Sequence, residues 1–174
     1  KRSDLGSGGW QGGSLKPDLS SDLPCPNFNP KQSDLVVLGA AHSMWSRDVM
    51  TVDSVSEVLQ SPHMVELDWQ RSVLSPQLLP CLRTAVAQQV GSRVRFVSLQ
   101  KLSFPQVATH TAAYRVVMDV PASGSTVRVF FDLVVFGRGR TEVTLAMIAP
   151  YANAKSVMQT EIHYARLLAS RIRA

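Results

Sequence analysis

The sequence has no apolar run near the roughly 20 residues that a membrane-spanning helix needs. It has neither a signal peptide nor a lipidation motif. It also begins at Lys1 rather than methionine, so the reading is of a stretch inside a longer or processed chain, with room for an upstream anchor. It lacks any block of like charge. The net charge is +5 and the pI near 9.6, but nucleic-acid binders gather such charge on one face or in one run. Here the nearest approach to a cluster is Arg138 and Arg140 with the late Arg166, Arg171 and Arg173, so nucleic acid is not the expected partner.

Catalytic and cofactor motifs are missing as well. The four histidines (His42, His63, His110, His163) have no metal-ligand spacing, and no Gly-x-Ser-x-Gly elbow occurs. Ser98-Leu99-Gln100-Lys101 matches Ser-x-x-Lys but falls on an expected strand, which cannot bring its lysine alongside the serine. Gly137-Arg138-Gly139 lacks the third glycine and following helix of a dinucleotide loop. The glycines of 6–13 have no Lys-Ser/Thr after them and are no phosphate loop. No metal, cofactor or catalytic residue is therefore implied.

What is present is globular: 174 residues, 45% apolar and 18% charged, read as one domain with an irregular Gly/Pro-rich segment (1–33) and a core (34–174). Only two cysteines occur. Cys25 lies in the Leu23-Pro24-Cys25-Pro26-Asn27 stretch, which has little else to fix it, and Cys81 falls in an expected helix. A Cys25–Cys81 disulfide implies an oxidising compartment; the competing readings are two free core thiols or a reactive Cys81.

Strands are expected at 35–41 and 49–59, then at 94–102, 110–120, 127–136 and 141–149. Ser61-Pro62 signals a helix start through an N-cap followed by proline. Ser75-Pro76 repeats the signal, with Pro80 pulling the start later and Gly91 ending the helix. In the last helix Met158, Ile162, Ala165, Ala169 and Ile172 mark the face that packs on the sheet. The class is α+β.

Turn chemistry then sets strand registers. A loop at Ala122-Ser123-Gly124-Ser125 puts Pro121 opposite Thr126. Tyr114 then meets Leu133, Val116 meets Phe131 and Met118 meets Val129. The other face pairs Arg115 with Asp132 and Arg128 with Asp119, opposite charges throughout. A three-residue Gly137-Arg138-Gly139 loop sets Leu133 against Val143 and Asp132 against Thr144. Arg115, Asp119, Arg128, Asp132, Glu142 and Thr144 thereby share a mixed face. They are either cross-strand ion pairs or the floor of a polar cleft for a small or peptide ligand, rimmed by Trp10, Trp45 and Trp69. His110 falls on the opposite, apolar face, which argues against a hydrolase or transferase assembled from His110, Asp132 and Glu142.

The order of features resembles a known group. Asp4-Leu5…Gly9-Trp10 precedes the Cys25 segment, followed by Ser33-Asp34-Leu35-Val36-Val37-Leu38-Gly39-Ala40-Ala41 and a Trp69…Cys81 helical pair. Then come Asp132-Leu133-Val134-Val135-Phe136-Gly137-Arg138-Gly139-Arg140 and a closing Ala165-Arg166-Leu167-Leu168-Ala169-Ser170-Arg171. This is similar to secreted and lipid-anchored actinobacterial proteins of the Mog1/PsbP-like type and, more distantly, to the extracellular sensor domains of mycobacterial receptor kinases. The resemblance implies an α/β/α sandwich on a central antiparallel sheet, an extracytoplasmic location and the Cys25–Cys81 bridge. It also implies a non-enzymatic sensor or scaffold role toward a small ligand or an envelope protein, with no catalytic residues to carry over. The Gly6-Ser7-Gly8-Gly9 stretch before Trp10 is looser than the group's opening.

Overall fold

A computed structural model describes residues 1–18, 25, 28–89, 94–122 and 124–172. Its centre is a seven-stranded antiparallel sheet in the order β1-β2-β3-β7-β6-β5-β4. The strands are β1 (Gln11–Leu15), β2 (Val37–Arg47), β3 (Met50–Leu59), β4 (Arg95–Lys101), β5 (His110–Ala122), β6 (Ser125–Arg138) and β7 (Thr141–Pro150). The helices are α1 (Pro62–Asp68), α2 (Leu78–Gln89) and α3 (Ala154–Ala169), with a wide π-helical turn over Trp69–Val73 joining the first to the path of the second.

The 94–102, 110–120, 127–136 and 141–149 strands lie where the sequence puts them, and 49–59 is shortened by one residue. Two differences matter. The 35–41 strand runs on to Arg47, because residues 37–47 pair along almost all of β3. Residues 1–33 are not wholly irregular: Arg2–Leu5 forms a 3-10 turn, and β1 pairs with β2 from Gln11↔Ser46 to Leu15↔His42. Gly12, at φ +126°, lies against the neighbouring strand so closely that a Cβ would meet the Met44 carbonyl at 2.1 Å. Only glycine allows β1 to sit there.

Ser61 caps α1 as expected, its Oγ accepting from the Met64 N–H at 3.3 Å. The second helix begins at Leu78, after the Ser75-Pro76 signal. Pro80 is its third residue, inside the first turn where its missing N–H has no partner to lose. The end expected at Gly91 lies outside the described residues.

The first hairpin has the expected register: Tyr114↔Leu133, Arg115↔Asp132, Val116↔Phe131, Met118↔Val129, Asp119↔Arg128 and Pro121↔Thr126. Ser123, in its turn, lies outside the described residues. The second hairpin does not. Pairing continues to Arg138↔Thr141, so the turn is two residues, Gly139-Arg140, with Gly139 at φ +57°. A tight turn with glycine first and positive φ suits the twist of the flanking strands better than the three-residue loop. Leu133 therefore faces Ala146 and Asp132 faces Met147, not Val143 and Thr144. This shift of three residues is odd, so every β7 side chain changes face.

The helices cover both faces. On one, α3 packs Val157, Tyr164, Ala165 and Ala169 against Ala113, Val117, Phe130, Val134, Phe136, Val143, Leu145 and Met147. On the other, Trp69, Val73, Leu78 and Cys81 pack with Phe28 against Ala112 and Tyr114. The principal core thus lies on the face expected to be mixed. The stripe of α3 is also turned: Val157, Glu161, Tyr164, Ala165 and Ala169 are buried, while Met158 and Ile162 are only half-buried. Cys25 and Cys81 form a disulfide with a Cα–Cα separation of 5.4 Å, clasping the segment after β1 to α2. No helix among the described residues is long and apolar enough to cross a membrane.

Candidate functional site

The six residues proposed as a polar cleft do not floor one cleft. Arg115, Asp119, Arg128 and Asp132 share the α3 face; Glu142 and Thr144 lie on the opposite face because of the register of β7. Three arrangements result.

The first is buried beneath α3. Asp132 has no exposed surface and Arg115 little. The Arg115 Nε donates to Asp132 Oδ1 at 2.6 Å, and an Nη2 bond to Oδ2 completes a two-point clamp. The Arg115 guanidinium also lies 4.4 Å from the Phe130 ring centre. Glu161 of α3, equally buried, meets this pair, and neither of its oxygens has a donor. Burial, and then the nearby Asp132 carboxylate, push the Glu161 pKa well up, with Arg115 opposing. Glu161 is accordingly held in its neutral form at neutral pH, so that Arg115 and Asp132 balance and the cluster is neutral overall.

The second lies along the strand ends. Asp119 takes Arg128 Nε at 2.7 Å from β6 and an Arg95 Nη2 bond from β4. The Arg128 hydrogen bond, opposed by burial and reinforced by Arg95, lowers the Asp119 pKa to about 2. Both arginines are exposed, so this is a surface ionic ladder of small net worth.

The third arrangement was not expected. On the face of α1, Glu142 stands directly across from Glu57, a like-charge pairing that a sheet does not favour. Glu142 is buried, and its Oε1 has no partner. Gly137 makes its room, since a Cβ there would come within 3.3 Å of both Glu142 Cγ and Val65 Cγ1. Burial first, then Asp68 and Glu57, push the Glu142 pKa to about 9; burial and Asp68 raise Glu57 as well. Asp68 is itself held by the Ser72 hydroxyl at 2.7 Å.

His110 lies in the same strand row as Gly137 and Glu142. The argument that His110 and the carboxylates occupy opposite faces therefore holds for Asp132 and fails for Glu142. His110 Nε2 is 3.1 Å from Glu66 Oε2, and its ring stacks on Trp69 with centroids 4.9 Å apart. His42 pairs similarly with Asp53 at 3.0 Å. Among the described residues no three His, Cys, Asp or Glu side chains converge as a metal would require.

The tryptophans do not rim a common cleft. Trp10 is buried in the α3-side core under Arg47, whose guanidinium lies 4.8 Å from its ring centre. Trp69 is buried on the opposite face. Trp45 is half-buried on the α3 side, its Nε1 without a partner.

Among the described residues, recesses follow the seams between helices and sheet. One of about 40 Å³ lies among Leu5, Trp45, Val52, Leu145, Tyr164 and Leu168. One of about 450 Å³ lies among Val58, Val143, Leu168 and Ile172, bringing Arg140 and Arg171 of the scattered basic cluster together. Arg171 is already bound to Asp4 at 2.7 Å, and Arg173 lies outside the described residues. Another, of about 650 Å³, runs between α2 and the edge strand β4. No protein-family model matches the chain, and no curated protein is similar to it in sequence.

Proposed function

We propose that this chain is an extracytoplasmic, non-enzymatic binding, sensor or scaffold module of the cell envelope, of the Mog1/PsbP-like type. The observation that carries the reading is how its ionisable groups are used. Arg115, Asp132 and Glu161 neutralise one another beneath α3, and Glu142 is sealed against Glu57 and Asp68, so neither group is open to a substrate. The two larger recesses are instead walled by apolar side chains, arginine and hydroxyls. The Cys25–Cys81 disulfide supports an oxidising compartment. The resemblance in feature order supports the same class, although the looser Gly6–Gly9 opening departs from it.

The test is a fusion of the complete gene product to a phosphatase that folds only where disulfides form. The expected result is an active reporter. An inactive fusion, beside an active reporter of the kind that folds in the cytosol, would overturn the location.

One observation favours the alternative, a hydrolase or transferase: His110 does meet a carboxylate, Glu66. That reading requires hydrolysis of an ester or phosphoester panel that disappears in His110→Ala while thermal stability is retained.

A further inference from the structure

We propose that the groove between α2 and β4 takes an acidic, extended peptide segment of a partner protein, added to the sheet as a strand beside β4. The proposal rests on the reading of the chain as a binding module, and it names the partner chemistry of one surface.

Among the described residues, strand β4 ends the sheet and pairs only with β5. The Leu102 N–H donates to the Ala113 carbonyl at 2.8 Å. Antiparallel alternation from that bond turns the Gln100 and Ser98 backbone toward β5 and leaves the N–H and C=O of Leu99 and Lys101 facing outward. A bulge between Phe96 and Ser98 blunts the first part of the strand, so the open template is Ser98–Lys101.

Beside that template lies a place for side chains. Leu79, Pro80, Arg83 and Thr84 of α2 and Phe96, Val97, Ser98 and Leu99 of β4 line the groove. Leu79 and Val97 are 36% and 37% exposed within it. An edge strand with an adjoining helix groove is the arrangement through which an added strand gains main-chain hydrogen bonds and side-chain selectivity together. The opposite edge, β1, is a five-residue strand, Gln11–Leu15, carrying Gly12 and Gly13.

Charge selects the occupant. Among the described residues, no acidic side chain lines the groove. Arg83 lies over Phe96, 5.1 Å from its ring centre, and Lys101 closes the strand. Among the described residues neither has an acidic partner. A segment with an aspartate or glutamate beside Arg83, an apolar side chain between Leu79 and Val97, and a free backbone edge satisfies all three features.

A displayed library of random decapeptides selected on the immobilised full chain tests this. The expected result is enrichment of acidic, alternating sequences whose synthetic versions bind at least ten-fold more weakly to Arg83→Glu. Binding should also fall at least ten-fold when one outward-pairing amide of the peptide is N-methylated. That modification leaves the protein unaltered and so reads the backbone contact without risk to its folding. Enrichment without acidic residues, indifference to N-methylation or to Arg83→Glu, or occupation of the edge by a second copy of the chain in sedimentation would each overturn the proposal. A failed selection beside an exported, active phosphatase fusion would remove this groove and leave the binding-module reading standing.

Discussion

The two faces of the sheet solve one problem differently. Each buries a glutamate with an oxygen left unpartnered. Under α3, Glu161 and Asp132 have Arg115 among them, so one proton and one guanidinium neutralise two acids. Under α1, Glu142, Glu57 and Asp68 have no cation among the groups that shift Glu142, and only a proton relieves the repulsion. A buried carboxylate is thus tolerated on either face, but only the first cluster has a partner that survives a rise in pH.

The sharpest way to break this contrast is Arg115→Met. Removing the cation leaves Asp132 and Glu161 buried together, and the expected loss is about 3–5 kcal/mol in urea unfolding at neutral pH. A loss below about 1 kcal/mol would show that Arg115 does not hold the α3 face. Next come the uncharged isosteres. Both glutamates have folded pKa values raised above the ordinary 4.5. Between the two values the folded state binds more protons than the unfolded state, so stability falls as pH rises from about 4.5 toward 9. Glu142→Gln and Glu161→Gln should match the wild type at pH 4 and exceed it by roughly 1–3 kcal/mol at pH 9, the usual cost of an unsatisfied buried group. Glu142→Gln should give the larger gain, because no arginine offsets its charge. Equal urea midpoints for wild type and both variants across that range would show that neither glutamate is held neutral by its burial. The smallest effect is local to the α1 side: Ser61→Ala should cost about 1 kcal/mol through the lost cap, and an unchanged midpoint would show that α1 is held by its packing alone.

The contrast between the hairpins explains how far the sequence could be read. For the first, turn and apolar pattern agree on one register, and two salt-bridged pairs arise as a by-product; that much was legible. For the second, Gly137 and Gly139 each permit a turn, and the two choices differ in parity. Strand alternation alone does not separate them, because β7 is apolar enough at Val143, Leu145 and Met147 to suit either face. That one ambiguity gathered Glu142 with Asp132 and hid its encounter with Glu57. β1 was not legible because Gln11-Gly12-Gly13-Ser14 carries no alternation. Glu161 was missed for a related reason: a glutamate between stripes of a helix reads as solvent-facing, and the proton that lets it turn inward leaves no mark in the sequence. The disulfide was legible from its surroundings, since a loose segment and a helix each gain from the other.

The Cys25–Cys81 bridge also has a mechanical meaning. It closes a ring around β2, β3 and α1, leaving β1 on one side of the ring and β4 to β7 on the other. A pull applied at the two ends would have to detach these outer parts without ever straightening the ring. With a sequence separation of 56, the slack withheld is about 190 Å at full extension. Reductant should return that length in a single-molecule stretching trace. For a chain tethered at one end and gripped at the other, the bridge fixes how far the molecule can be drawn out before anything breaks.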